Sequence, residues 1–307
     1  MKLVSFQSPE GAKLGALINN RILDVRATCQ AVGVDATAVR RLGTMMAFLE
    51  GGDAAFSAAA QAIAAANQDA EKAVWVVQPL LPPVPNPRKI LLLAGNYAAH
   101  IEEGGGKALS KLETTPRVFV KPPTTLTAHE QPIIIPPNGV FTDWEAELGV
   151  VIGKRGKFID AANAHDYVAG YTIVNDVSER RLKVKESRVE RDGDKWFDWL
   201  NGKWFDTYAP MGPALVTKDE IPNPDNLRIS LRVNGVTKQD ANTGQMIFNV
   251  AELIEFISTL VTLEPGDIIS TGTPSGVGHP NQRLKDGDVV EVEIEKIGIL
   301  RNPVVQG

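Results

Sequence analysis

A succession of short apolar, β-branched runs beginning at Lys89 limits what this chain can fold into more than any other feature. They read "KILLLAG", "RVFVKP", "PIIIPP", "ELGVVIG", "GYTIVND", "ALVT", "LRISLRVNG", "DIISTG" and "DVVEVEIEKIG", with Pro, Gly, Asn and Asp between them. Runs of this length and punctuation predict a sandwich or barrel-like roll of short strands, not regular βαβ repeats. One helix interrupts them. Asn249 is the expected N-cap of "VAELIEFISTLVTL", in which Leu253, Ile254, Ile257 and Leu260 form an apolar stripe, and "EPGD" ends it.

The first 75 or so residues have a different texture. Strand-like "KLVSF" and "GALIN" are followed by the alanine-rich "AAFSAAAQAIAAAN", whose composition favours helix. Then "QPLLPPVPNPRK" places five prolines in twelve residues, which blocks helix and ladder alike and suits an extended linker. The expected organisation is a small α/β domain over 1–77 and a β-rich domain over 78–307, so the fold class is mixed α/β with strands dominant.

Composition narrows the function. With 43% hydrophobic residues in 307, the chain can build a packed core, and its net charge of −5 offers no basic field for nucleic acid or an anionic bilayer. The N-terminus lacks the apolar core of a signal peptide, and "LIEFISTLVTL" is interrupted by Glu255 and too short to span a membrane. A cytoplasmic protein with neither nucleic-acid nor membrane partners is expected. Cys29 is the single cysteine, and its expected role is buried packing.

The chemistry starts in "TDWEAELGVVIGK". On a strand, Asp143, Glu145 and Glu147 share one face, while Trp144, Ala146, Leu148, Val150 and Ile152 share the other. Adjacent carboxylates on a half-buried sheet repel unless they are solvated, paired or metal-bound. "GYTIVND" brings another acid, Asp176, to the end of an apolar strand. Two Glu and one Asp match the oxygen preference of Mg²⁺ or Mn²⁺, with Ca²⁺ also suited, whereas four scattered histidines and one cysteine give no zinc-type cluster. In "GNYAAHIEEGGGK", His100 and Glu103 stand one helical turn apart, and three glycines follow as a hinge. Taken alone, the residues leave two readings open for each feature: a solvated acidic face or a metal platform, a surface pair or a general-base dyad.

Together, "GNYAAH", "DWEAELGVVIGK", "GYTIVNDVSER", "GKWFDTYAPMGP" and "LEPGDIISTGTPSGVG" resemble the fumarylacetoacetate hydrolase family, in the short bacterial form with an added N-terminal module. The resemblance implies a β-sandwich roll, a homodimer, and a divalent ion held by Glu145, Glu147 and Asp176. It also implies a lid dyad of His100 and Glu103, a site lysine at Lys203, and substrate-carboxylate contact by Thr273 with Gly272 and Gly276 allowing close backbone approach. Where the family commonly has a substrate-touching glutamine, this chain has Lys183, inside the charged run "SERRLKVKESRVERDGDKW". That run reads as a solvated helix or loop, with Arg180 and Arg181 available to an acidic substrate tail.

The activity implied is a metal-dependent hydrolase that cleaves a carbon–carbon bond in a 2,4-dioxo acid through a metal-bound enolate, His100 activating water. Isomerisation, decarboxylation or dehydration of a 2-keto acid at the same site is the alternative; a noncatalytic metal-binding protein is the reading from another class. Glu145 and Glu147 are the expected ligands on the first strand, and Asp143 is expected to support them or face solvent.

Overall fold

The computed structural model describes residues 1–182, 184–185 and 187–307. The N-terminal segment contributes β1 (Lys2–Ser8), β2 (Gly11–Ile18), β3 (Arg21–Asp24), β4 (Trp75–Val76) and β5 (Leu80–Leu81), with helices α1 (Val25–Ala31), α2 (Ala36–Val39), α3 (Met45–Glu50) and α4 (Gly52–Gln68) between β3 and β4. After the prolines come β6 (Ile90–Ala94), α5 (Ala98–Glu103), β7 (Arg117–Val120), β8 (Leu126–Thr127), β9 (Ile133–Ile135), β10 (Thr142–Asp143), β11 (Ala146–Ile152), β12 (Val168–Asn175) and β13 (Ser178–Glu179). The chain continues through α6 (Asp194–Asn201), β14 (Ala209–Thr217), β15 (Arg228–Val233), β16 (Val236–Asn242), α7 (Val250–Leu260), β17 (Ile268–Ser270), β18 (Val289–Ile294) and β19 (Gly298–Gln306). All nine apolar runs form strands.

Two sheets face each other. The larger runs β4-β3-β2-β1-β14-β12-β11-β17-β6-β7, with β5 added to β1 and β8 to β14, and the smaller runs β16-β15-β18-β19-β9. Ala146, Leu148, Val150 and Ile152 from the large sheet, with Trp144 just ahead of them, pack with Ile229, Leu231, Val290, Val292 and Leu300 from the small one, and α7 closes this core with Val250, Leu253, Ile254 and Ile257. Asn249 caps α7 in a reciprocal box with Glu252. Leu260 departs from the expected stripe: it lies in the last turn and is 58% exposed, beyond the edge of the core.

The other face of the large sheet is covered by the N-terminal helices. Cys29, Phe48, Leu49, Ala55, Ala59 and Ala62 pack against Val151, Ala169, Leu215 and Ile268. Residues 1–77 therefore extend the same sheet and share its core, through pairing of Leu3 with Leu215 in β14. The proline-rich stretch is also less free than its composition suggests. Leu80 and Leu81 pair with Phe6 and Ser5, and the Pro79 carbonyl accepts from the Gln7 amide at 3.0 Å. Proline lacks a donor but keeps its acceptor, so a short edge pairing survives between prolines.

With both faces covered, β11 and β12 are buried along their whole length. Any carboxylate at their ends is therefore withdrawn from bulk water.

Candidate active site and metal centre

The register of β11 and β12 assembles the acids. Ala146 lies opposite Asn175 and Glu147 opposite Val174, so Glu145 and Asp176 meet just beyond the ladder. The Asn175 side chain accepts from the Glu145 amide at 2.9 Å, and the Glu145 carbonyl accepts from the Asp176 amide at 2.9 Å. The chain breaks between β10 and β11 at Trp144 and Glu145, so Asp143, Glu145 and Glu147 do not lie on one regular strand. Asp143 is turned aside. It is fully buried, accepts from the Gly278 amide at 2.7 Å and the His279 amide at 3.1 Å, and pairs with Arg180 Nε at 2.9 Å.

Glu145, Glu147 and Asp176 each offer a carboxylate oxygen, all within 4.8 Å of one another and all buried. Three basic side chains converge on them. Lys203 Nζ lies 3.0 Å from Glu145 Oε2 and also donates to Asp176 Oδ2; Lys121 Nζ is 2.6 Å from Asp176 Oδ1; Arg180 Nη2 pairs with Glu145 Oε1. Lys121 is held from behind by the carbonyls of Val177 and Tyr208. Lys203 lies beneath Phe119 and Trp199, its Nζ 5.1 Å and 5.4 Å from the two ring centroids.

The charges sort the acids into different states. Burial opposes ionisation of Glu145, yet Lys203, Arg180 and His100 together hold its carboxyl well below the usual range. Burial, reinforced by the neighbouring Asp176 and Glu145 carboxylates, pushes Glu147 well above it. Lys121 is pulled down to about 8, because burial outweighs its pairing with Asp176. Burial also disfavours the charge on Lys203, but Asp176 and Glu145 win and raise it. Four carboxylates, Asp143 included, against three cations leave one negative charge unmatched, and Glu147 is where it would fall. Ser270 Oγ and the Gly272 amide both donate to Glu147 Oε2, whereas Oε1 is buried without a partner. A buried orphan oxygen within an all-oxygen triad fits a hard divalent cation, and Glu145, Glu147 and Asp176 are the residues that would hold it.

A cavity of about 430 Å³ opens onto this cluster, lined at its inner end by Glu145, Arg180, Lys203, His100 and Thr273. His100 and Glu103 both lie on α5, with Nδ1 to Oε2 at 3.6 Å, outside hydrogen-bond range; Nδ1 is buried without a partner. Glu103 instead accepts from the Gly276 amide at 3.0 Å, tying the lid helix to the "GTPSG" loop. Gly276 is at φ +99° and a Cβ there would lie 2.1 Å from the Lys238 carbonyl, so only glycine serves. Thr273 Oγ1 accepts from Gln239 Nε2 at 2.9 Å and faces the cavity. Gly272 acts on the Glu147 carboxylate through its amide; at φ +93° a Cβ would press to 2.8 Å from Asn96 Cβ.

Several features were not legible in advance. Lys121 stands at the end of "RVFVKP" with no motif to mark it. Arg180, expected at a substrate tail, is held by Asp143 and Glu145, which removes it from the free cations of the cavity. Lys183 lies outside the described residues. At the end of the charged run, where a solvated surface was expected, α6 supplies Trp196 to the cavity wall, and Trp199, just beyond the run, joins it. Among the described residues, no helix is long and apolar enough to cross a membrane.

Comparison with known proteins agrees with this architecture. The family model described as fumarylacetoacetate (FAA) hydrolase C-terminal matches residues 89–305. A mitochondrial oxaloacetate tautomerase of Rattus norvegicus is 40% identical over 314 residues, covering 99% of this chain and 92% of the relative. A human mitochondrial oxaloacetate tautomerase is 39% identical over 312 residues, with the same two shares, 99% and 92%. The solved maleylpyruvate hydrolase of Sphingobium sp. SYK-6 in complex with manganese(II) and pyruvate superposes with a TM-score of 0.75 at 29% identity, covering 100% of both chains. The 5-carboxymethyl-2-hydroxymuconate delta-isomerase of Mycobacterium smegmatis gives 0.69 at 28%, covering 100% of this chain and 99% of that one. The chain belongs to the fumarylacetoacetate hydrolase family.

Proposed function

We propose that this protein is an enzyme that interconverts the keto and enol forms of a 2-oxo acid, with Mg²⁺ or Mn²⁺ at Glu145, Glu147 and Asp176. The observation that carries it is the unpartnered ring nitrogen of His100 in the same cavity as Glu145, Lys203 and Thr273. A divalent ion bound there supplies Lewis-acid polarisation of the keto oxygen. Thr273 and the "GTPSG" loop receive the substrate carboxylate. His100 moves a proton at the carbon next to the keto group, while Lys203 faces the oxygen on which charge develops. Glu103 holds α5 over the cavity through Gly276, and Ile101, Phe248 and Trp199 exclude water. Support for tautomerisation over bond cleavage comes from the relatives named oxaloacetate tautomerase, which match nearly the whole chain.

Hydrolysis of a 2,4-dioxo acid is the second reading, supported by the Sphingobium neighbour named maleylpyruvate hydrolase. The deciding experiment follows enol oxaloacetate by ultraviolet absorbance and acetylpyruvate by product analysis, each with Mn²⁺ and with the His100→Ala variant. Accelerated ketonisation that His100→Ala abolishes supports the tautomerase. Cleavage of acetylpyruvate without any effect on oxaloacetate overturns it in favour of hydrolysis.

A further inference from the structure

Strand β16 is a polar edge strand in which a single position, Gln239, is buried. Its ladder with β15 sets Leu231 opposite Gln239 and Arg232 opposite Thr237, so Lys238 is an extra residue between them. A bulge of this kind bends the strand and re-aims the side chain beside it. Gln239 reaches both β11 and the "GTPSG" loop. Its Oε1 accepts from the Ala146 amide at 2.9 Å, between the two ligand residues Glu145 and Glu147. Its Nε2 donates to the Pro274 carbonyl at 2.8 Å and to Thr273 Oγ1 at 2.9 Å.

These partners fix which way the Gln239 amide points. The Ala146 N–H can only donate and the Pro274 carbonyl can only accept, so the side-chain oxygen must face the first and the nitrogen the second. The remaining amide hydrogen then falls to Thr273 Oγ1, which makes that hydroxyl an acceptor on its protein side. A hydroxyl carries one hydrogen and rotates it towards whatever acceptor is near. Among the described residues none takes it, so the Thr273 hydrogen is left for the cavity that Thr273 lines. A glutamate at position 239 would do the reverse. It would accept from both Ala146 and Thr273 and leave only oxygen lone pairs facing the cavity.

We infer, resting on the reading that Thr273 receives a substrate carboxylate, that Gln239 is a positioning residue that sets the direction of the Thr273 hydroxyl so that it donates to the anion. Gln239 acts through Thr273 and does not line the cavity itself. By bonding the Ala146 amide as well, it ties this donor to the backbone between the ligands Glu145 and Glu147, so the hydroxyl and the metal-binding carboxylates keep one spacing.

The test is calorimetric binding of oxalate to the Mn²⁺-loaded protein, in the parent, Gln239→Glu, Thr273→Val and the double variant, with Mn²⁺ binding measured on each. Loss of one hydrogen bond to a charged group should weaken oxalate about tenfold in each single variant. The double variant should also be weakened only about tenfold, because both changes remove the same donor. Gln239→Met, uncharged and unable to donate, should weaken oxalate too. Mn²⁺ should bind Gln239→Glu no more weakly than the parent, since the new carboxylate still accepts from Ala146. Unchanged oxalate binding in either Gln239 variant overturns the inference. So does a double variant weakened about a hundredfold, in which the new charge acts without the hydroxyl. Weaker Mn²⁺ binding by Gln239→Glu makes the residue structural, and the assignment falls. If Thr273→Val leaves oxalate unchanged, or the parent binds none, the carboxylate placement in the proposed function is refuted, and the inference falls with it.

Discussion

Replacing Lys203 by Met should expose the balance of charge at the triad. Lys203 is 2% exposed and is the only described cation that touches both Glu145 and Asp176. At 3.0 Å and an effective dielectric near 20, one such pair carries roughly 5 kcal/mol of gross attraction. Desolvation offsets part of it, and removing one partner of a buried pair typically costs about 3–5 kcal/mol because the other charge is left alone. Lys121 and Arg180 remain on Asp176 and Glu145, which sets the expectation at the lower end, about 3 kcal/mol. At about 2 °C per kcal/mol for a chain of this size, the cation-free variant should melt roughly 6 °C below the parent. Lys203 also occupies carboxylate oxygens that a divalent ion would use. Without it, saturating Mn²⁺ should raise the melting temperature more in the variant than in the parent, with affinity at least about tenfold higher, or about 1.4 kcal/mol. Differential scanning calorimetry with and without Mn²⁺ checks both halves. A variant that melts within about 2 °C of the parent without cation, or that Mn²⁺ stabilises less than the parent, refutes the electrostatic account.

Other outcomes follow from single features. Glu147 holds its proton unusually tightly, through burial and the adjacent carboxylates, so cation binding near neutral pH should release a proton; titrations in two buffers of different ionisation enthalpy should give different apparent heats, and identical heats would contradict it. Burial pushes the Cys29 thiol up to about 11 and leaves it with no exposed surface, so an aromatic disulfide reagent at pH 8 should label it only after unfolding. The sign of the linkage is that of a raised acid: the stability contributed by the neutral thiol is present below its unfolded value near 9 and is lost as pH rises towards 11. Asn249→Ala removes the α7 cap and should cost about 1 kcal/mol in urea unfolding, with little change in the slope.

Nine strands of the catalytic region were readable because apolar runs bounded by breakers announce them. β16, "VTKQDAN", was not, since it is a polar edge strand with much of its surface in water, and β19 carries Pro303 within its span. The triad was readable only through the resemblance: taken alone, the alternating acids left a solvated face and a metal platform both open, and it is the burial of all three carboxylates that removes the first. Lys121 had no such signal. A lysine at the end of a strand usually snorkels to water, and what makes this one different is tertiary: β7 is the edge strand, two strands removed from β11, yet the Lys121 amine just beyond it reaches Asp176 and the Val177 and Tyr208 carbonyls. Sheet order is a property of long-range pairing, invisible to local pattern. The same holds for Trp196, at the end of a charged run, and Trp199 just beyond it, both of which line the cavity.

The pairing of β1 with β14 has a consequence for how the molecule would come apart. The opening for a protease is Val77, fully exposed just ahead of the proline-rich connection, yet on either side of it the strands belong to one hydrogen-bonded sheet and one apolar core. A nick there would yield two fragments that stay bound as a single particle, separating only when denaturant breaks the sheet itself.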